Sequence, residues 1–213
     1  MAPVSRGHSI CGNKKEFRNL MKKIVTFFVV MLFSMALAGG AYAATLVIAD
    51  FDSGSKPNNI GGDFGAWNKD EADATQGCKM DFDSKVMHGT KGFSARLDYD
   101  VDSPNPAYNG LWMKLQNTDA TKYSKLSFWV KGDETAGFSP KVKLELKNAK
   151  GEVGKYTVSN ITKDWQEIVV PFNQLTGLTD LTSMTEFVIV FDDMTCAAKK
   201  QGTIYIDDIA FVK

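Results

Sequence analysis

Cysteine and histidine are scarce in this chain, which has three cysteines and two histidines among 213 residues. A structural zinc site takes four ligands, which are mostly cysteine and histidine side chains, so the small number of these residues argues against a zinc site. A Ser–His–Asp triad would have to use His88, which sits in a Met-His-Gly-Thr turn without a nucleophile-elbow motif. The sequence therefore argues against zinc chemistry and triad hydrolysis.

Long apolar runs are also scarce, and the one that stands out is Ile24 to Ala38, about 15 residues long. A transmembrane helix needs about 20 such residues. Met21-Lys22-Lys23 precedes the run, and small residues at Ala41 and Ala43 follow it. This order is typical of a secretory signal peptide. We predict a signal peptide over 21–43, with a membrane anchor as the alternative.

Cleavage near Ala43/Ala44 would leave a secreted or periplasmic protein without a membrane attachment. Residues 1–20 are polar and basic, and either extend the signal or reflect a start placed too early, with Met21 as the true start. Residues 44–213 have the length of one domain.

The predicted mature chain has no excess of basic residues. The first 43 residues hold six Lys or Arg and one acid, which leaves 25 − 6 = 19 basic and 25 − 1 = 24 acidic residues, a net charge of about −5. Proteins that bind nucleic acids usually have basic surfaces, so the net charge argues against a nucleic-acid partner.

Cys78 and Cys196 are the cysteines that remain in the predicted mature chain. Lone thiols tend to oxidise outside the cytoplasm, so we expect a Cys78–Cys196 disulfide, with two reduced thiols as the alternative.

Short alternating segments fill residues 44–213. Within Leu126–Val130 and Val142–Leu146, apolar side chains alternate with polar ones, as in strands that cover a core on one face. Turn residues separate about nine such segments, and one helical turn is expected near Leu178–Met184. The pattern predicts an all-β, jelly-roll β-sandwich of about nine antiparallel strands.

Aspartates lie at the ends of the outermost predicted strands. Asp50 and Asp52 close the first, and Asp207 lies in the last. Calcium takes six to eight oxygen ligands, so these carboxylates would share one ion if the two strands are neighbours. The alternative is solvated carboxylates or bonds to turn amides.

Aromatic residues lie where a core does not require them. Trp67 is in a glycine-rich segment, Tyr108 follows a Pro/Asn segment, and Trp129 shares its side of a strand with Ser127 and Lys131. Flat aromatic rings stack on the apolar face of a sugar, while polar side chains bind its hydroxyls. The sequence therefore indicates a glycan-binding surface, with ordinary core packing as the alternative.

The order of the motifs resembles that of galactose-binding-like jelly rolls. The motifs are Ala49–Asp52, Tyr108–Trp112, Leu126–Lys131, Trp165–Phe172 and Ile206–Ile209. The resemblance is greatest to family 11 carbohydrate-binding modules, which are related to the domain of complex I intermediate-associated proteins. It covers nearly all of residues 44–213.

This resemblance implies a β-glucan cleft on one sheet and structural calcium. It gives Asp52 and Asp207 as calcium ligands, with Asp50 as a third candidate, and Trp67 and Tyr108 as stacking residues. The leading hypothesis is an exported, non-catalytic domain that binds a polysaccharide or oligosaccharide. Two alternatives are a periplasmic or surface structural protein with a lost cleft, and a small glycanase. The candidate glycan-binding residues are Trp67, Tyr108, Trp129, Asp180 and Asp192.

Overall fold

The computed structural model describes residues 44–213, so the predicted upstream segment and signal peptide lie outside the described residues. The described part contains antiparallel strands and one short 3-10 turn. The strands are β1 (Thr45–Ala49), β2 (Phe64–Asn68), β3 (Gly77–Asp83), β4 (Ser94–Asp100), β5 (Tyr108–Thr118), β6 (Lys125–Gly132), β7 (Lys141–Asn148), β8 (Val153–Ser159), β9 (Gln166–Pro171), β10 (Met184–Asp192) and β11 (Gln201–Val212).

These strands form two sheets in the described part of the chain. Sheet 1 has the order β3-β4-β11-β6-β9, with β1 also paired with β11. Sheet 2 has the order β2-β5-β10-β7-β8. The long strand β11 pairs with β4 through its first half and with β1 through its second half. Strand β10 lies between β5 and β7, so segments far apart in the sequence meet at the centre of sheet 2.

The core lies between the two sheets and follows the alternation in the sequence. Val142, Leu144 and Leu146 are buried, whereas the intervening residues of β7 point outward. Aromatic pairs join the sheets: Phe128 of β6 meets Phe187 of β10 edge to face, with ring centroids 6.0 Å apart. Such a pair contributes about 0.5–1.5 kcal/mol beyond its buried area. The predicted all-β sandwich is confirmed.

The strand count differs from the prediction because β2 and β3 were not predicted. Strand β2 is rich in small residues and looks like a loop in the sequence. The predicted helical turn near Leu178–Met184 is wrong, and a 3-10 turn occurs instead at Phe172–Gln174. Among the described residues, no helix is long and apolar enough to cross a membrane.

The predicted Cys78–Cys196 disulfide is absent from the structure, where both residues are buried free thiols. Cys78 lies on β3 of sheet 1, with its Sγ 3.8 Å from the Lys79 carbonyl oxygen. Cys196 lies in the turn after β10, with its Sγ 3.7 Å from the carbonyl oxygen of Lys141 in sheet 2. Burial raises the pKa of both thiols, so both stay protonated and unreactive.

Candidate functional site

The outward face of sheet 2 carries a groove of about 370 Å³, which we call the aromatic groove. It crosses four neighbouring strands, β2, β5, β10 and β7. Aromatic side chains lie at one end, charged side chains lie at the other, and valines form the floor between them. The lining residues are Trp67, Tyr108, Trp112, Glu145, Lys147, Glu186, Val188 and Val190.

Strand register brings these side chains onto one face. Trp67 lies opposite Gly110, and Trp112 lies opposite Val188. Gly110 leaves room for the indole, because a Cβ built there would lie 3.3 Å from Trp67 Nε1. The same Cβ would lie 1.9 Å from the carbonyl oxygen of Ile189, far inside van der Waals contact. Only glycine therefore fits at the centre of this groove.

The aromatic end is a wall of two tilted rings. The centroids of Trp67 and Tyr108 are 5.8 Å apart, with 59° between the ring planes. Tyr108 is 41% exposed, which is high for an aromatic side chain on a strand. Trp67 Nε1 is buried and has no hydrogen-bond partner among the described residues. This wall offers a ligand an apolar ring face.

Trp112 extends the aromatic surface toward the charged end of the groove. Its Nε1 donates a hydrogen bond of 3.3 Å to the Ala66 carbonyl oxygen, which fixes the indole across β2. The ammonium groups of Lys114 and Lys56 lie 5.5 Å and 5.8 Å from the Trp112 ring. These cations attract the ring electrostatically and restrict its motion.

Glu186 is the most strongly held charge in the groove. Lys114 Nζ lies 2.5 Å from one carboxylate oxygen, and Lys147 Nζ lies 2.9 Å from the other. Burial raises the pKa of Glu186, but the hydrogen bonds and charges of both lysines lower it more, so the net pKa lies below its usual value. Glu186 therefore remains an ionised hydrogen-bond acceptor at neutral pH.

Asp192 lies at the end of β10, opposite Tyr108 in the register. Lys143 Nζ lies 3.0 Å from its Oδ2, and the Thr195 amide donates to its Oδ1 at 3.0 Å. Burial raises the pKa of Asp192, but these partners lower it more, so the net pKa is lowered. Asp192 thus places a second carboxylate beside the aromatic wall.

The structure places Trp67 and Tyr108 in the aromatic groove and Asp192 opposite Tyr108 in the strand register, and it leaves the other two predicted glycan-binding residues elsewhere. Trp129 lies on β6 of sheet 1 and stacks on His88, with centroids 3.7 Å apart. Asp180 lies in the segment before β10, where Lys150 and Thr182 bind its carboxylate.

Six groove residues were not among the predicted ligand-binding residues: Trp112, Glu145, Lys147, Glu186, Val188 and Val190. Alternation along β5 and β7 indicates that Trp112 and the two β7 residues point away from the core. It does not indicate that they meet, because that depends on the pairing of β5 and β7 with β10.

The aspartates predicted to bind calcium have other partners. The Asp50 carboxylate accepts hydrogen bonds from Asn59 Nδ2 at 2.7 Å and from the Asp52 amide at 3.1 Å. The Asp52 side chain packs beside Gly92, where a Cβ would lie 1.8 Å from its Oδ1. Asp50 thus already serves as an acceptor for its own turn.

Asp207 is 2% exposed and accepts backbone hydrogen bonds of 2.9 Å from both His88 and Asp208. Burial raises the pKa of Asp207 to about 7, despite these bonds. Among residues 44–213, no three His, Cys, Asp or Glu side chains converge to hold a metal ion. The three aspartates therefore do not fit a site built on carboxylates alone, and calcium binding stays a prediction.

Solved structures that are similar to this chain include carbohydrate-binding modules and part of an agarase. The family 11 module of the cellulosomal cellulase Lic26A-Cel5E of Clostridium thermocellum has 18% identity and a TM-score of 0.58, over 81% of this chain and 96% of that one. A family 11 module from Clostridium thermocellum in complex with a β-1,3-1,4-mixed-linked tetrasaccharide has 18% identity and a TM-score of 0.57, over 81% and 97%. An exo-β-agarase has 12% identity and a TM-score of 0.58, over 78% of this chain and 25% of the enzyme. These similarities establish the fold.

The family comparison is independent of these structures. No curated protein sequence matches the chain significantly. Residues 57–213, which include every residue of the aromatic groove, match the family model of carbohydrate-binding domain 30. The chain therefore belongs to the carbohydrate-binding domain 30 family, and the predicted partner class, a polysaccharide or oligosaccharide, is confirmed at the level of that family.

Proposed function

We propose that residues 44–213 form an exported, non-catalytic domain that holds a β-glucan chain in the aromatic groove of sheet 2. The observation that carries this proposal is the convergence of Trp67, Tyr108 and Trp112 in one groove with the ionised Glu186. Export rests on the sequence of residues 21–43, which lie outside the described part of the structure.

The groove offers the two surfaces that a pyranose ring needs. The ring's C–H face stacks on an indole or phenol, and its equatorial hydroxyls reach side chains at the edge. Here the aromatic wall supplies the stacking surface, and Glu186 accepts hydrogen bonds from hydroxyls.

Glu186 is unsuited to act as the general acid of a glycosidase. Lys147 Nζ lies 2.9 Å from Glu186 and 3.9 Å from Glu145, so the two acids are close enough to suggest a catalytic pair. A glycosidase needs one of the two to hold its proton near neutral pH. The pKa of Glu186 is lowered instead, which supports binding rather than catalysis.

The similar family 11 module was solved with a mixed-linked tetrasaccharide, which makes that sugar the first ligand to test. Isothermal titration calorimetry of residues 44–213 with this tetrasaccharide should give saturable binding with one site per domain. Glucose alone should bind much more weakly, because it covers only one aromatic ring. If neither this tetrasaccharide nor any other glycan in a panel gives measurable binding, the proposal is wrong and a structural role with a lost cleft takes its place.

The calcium prediction has its own test. A ligand that binds only the native state raises stability, so removing bound calcium would lower the melting temperature. We expect a lower melting temperature in a chelator than in millimolar calcium, with magnesium as the control cation. Superimposable melting curves would contradict a stabilising calcium site.

A further inference from the structure

A second cavity of about 370 Å³ lies on the same outward face, at the β7–β8 end of sheet 2. It shares Glu145 with the aromatic groove. We call it the lysine pocket, because Lys143 and Lys155 line it. It is lined by Lys143, Leu144, Glu145, Lys155, Tyr156, Thr157, Gln174 and Thr176.

Strand register makes the lysine pocket a continuation of the aromatic groove. Lys143 lies opposite Thr157, and Glu145 lies opposite Lys155. Thr176 joins the edge of β8 through two backbone hydrogen bonds with Lys155, of 2.9 Å and 3.0 Å. Neighbouring strands are about 4.8 Å apart, so the four steps from β2 to β8 span about 19 Å. That length suits an oligosaccharide chain that crosses the strands rather than a single sugar.

The charge of the lysine pocket differs from that of the domain. The predicted mature chain has about five more acids than bases. The pocket nevertheless has two lysines and one glutamate, and its other polar groups are hydroxyls and an amide. Lys143 is paired with Asp192 at 3.0 Å. Lys155 is exposed and lines the cavity, and Glu145 lies opposite it in the strand register. Among the described residues, the ammonium group of Lys155 forms no ion pair within 4.0 Å.

A free ammonium group beside hydroxyl donors favours an anionic group on the ligand. A neutral hexose would need acceptors and donors in equal measure, whereas a carboxylate needs donors only. Tyr156, the aromatic residue among those that line the pocket, packs against the core, so recognition in the pocket depends on charge and hydrogen bonds. A sugar acid whose carboxylate faces Lys155 meets both conditions.

We propose that the lysine pocket binds the carboxylate of a uronic acid residue, so that the domain prefers a glycan chain carrying acidic sugars. The inference rests on the proposed function, because the same chain must occupy the aromatic groove. Lys155 supplies the free cation, and Thr157 and Thr176 are positioned to donate hydrogen bonds.

The test compares two ligands that differ only at C6 of their sugar residues. One is the β-1,3-1,4-mixed-linked tetrasaccharide, and the other is the same tetrasaccharide with its C6 hydroxymethyl groups oxidised to carboxylates. We expect calorimetry at low salt to show about fivefold tighter binding of the oxidised form, with the preference reduced at high salt because exposed charges are screened. Equal or weaker binding of the oxidised form would overturn the inference.

Lysine variants test whether the lysine pocket causes the preference for the oxidised tetrasaccharide. Lys155→Gln should reduce the preference for the oxidised form to less than twofold, because the variant loses the ammonium group that faces the carboxylate. Lys79→Gln is the matched control, since Lys79 is an exposed lysine on β3 of sheet 1, and it should keep the preference. A preference that survives in Lys155→Gln would contradict the assignment.

The two proposals can fail separately. If the neutral form binds and oxidation brings no gain, the acidic-sugar inference is wrong and the glycan-binding proposal stands. If the wild-type domain binds neither form nor any other glycan, both are wrong.

Discussion

The Trp67→Ala variant is expected to bind the mixed-linked tetrasaccharide at least about thirtyfold more weakly than the wild-type domain. Tryptophans that anchor a ligand in a binding surface commonly contribute about 2 kcal/mol or more to the binding free energy, and 1.4 kcal/mol corresponds to a factor of ten. Trp67 also supports Tyr108, whose ring centroid lies 5.8 Å away, so the substitution removes one ring and frees another. Calorimetry measures the loss, and a thermal melt checks that the variant is folded.

Trp129→Ala is the matched control for this substitution. Trp129 is also a strand tryptophan on an outward face, but it belongs to sheet 1 and stacks on His88. We expect its loss to change the tetrasaccharide affinity by less than about twofold, although stability falls because the stacked pair is lost. If Trp129→Ala weakens binding as much as Trp67→Ala, the ligand is not confined to sheet 2.

The Gly110→Ala variant is expected to lose about 3 kcal/mol or more of folding free energy. The added Cβ would lie 1.9 Å from the Ile189 carbonyl oxygen, which belongs to the backbone of the neighbouring strand β10. To relieve this clash, β5 must move away from β10. This movement would weaken the backbone hydrogen bonds between the two strands. Urea unfolding, followed by circular dichroism, measures the change.

Gly151→Ala separates this steric effect from backbone strain. Gly151 lies in the turn between β7 and β8 with φ of +82°, and a Cβ there meets nothing within 4 Å. An alanine with such a positive φ angle lowers the free energy of unfolding by about 1 kcal/mol relative to glycine. A loss in Gly110→Ala no larger than that in Gly151→Ala would contradict the close approach of β5 and β10.

The fold could be predicted where local alternation is strong. The segment Val142–Leu146 alternates cleanly and is a strand, β7. Strand β2 could not be predicted, because Gly65 and Ala66 have low strand propensity and the segment depends on pairing with β5. Trp67, predicted to lie in a glycine-rich loop, is in fact part of this edge strand.

The site could be predicted only in part, for a related physical reason. Alternation separates inward from outward side chains, but it does not assign a strand to one of two sheets. Trp67 and Trp129 therefore look alike in the sequence, although they lie on different sheets. The position of Glu186 between Lys114 and Lys147 depends on two strand pairings that join distant segments. Such non-local pairings leave no local pattern in the sequence.

The position of the glycan across the outward face of sheet 2 can be mapped by two-dimensional NMR during the tetrasaccharide titration, because each backbone amide reports on its own surroundings. We expect shifts in the indole N–H of Trp67 and in amides of β2, β5, β10 and β7, with the resonances of sheet 1 unchanged. Shifts centred on Trp129 and the outward face of sheet 1, with the aromatic groove unaffected, would contradict this position of the glycan.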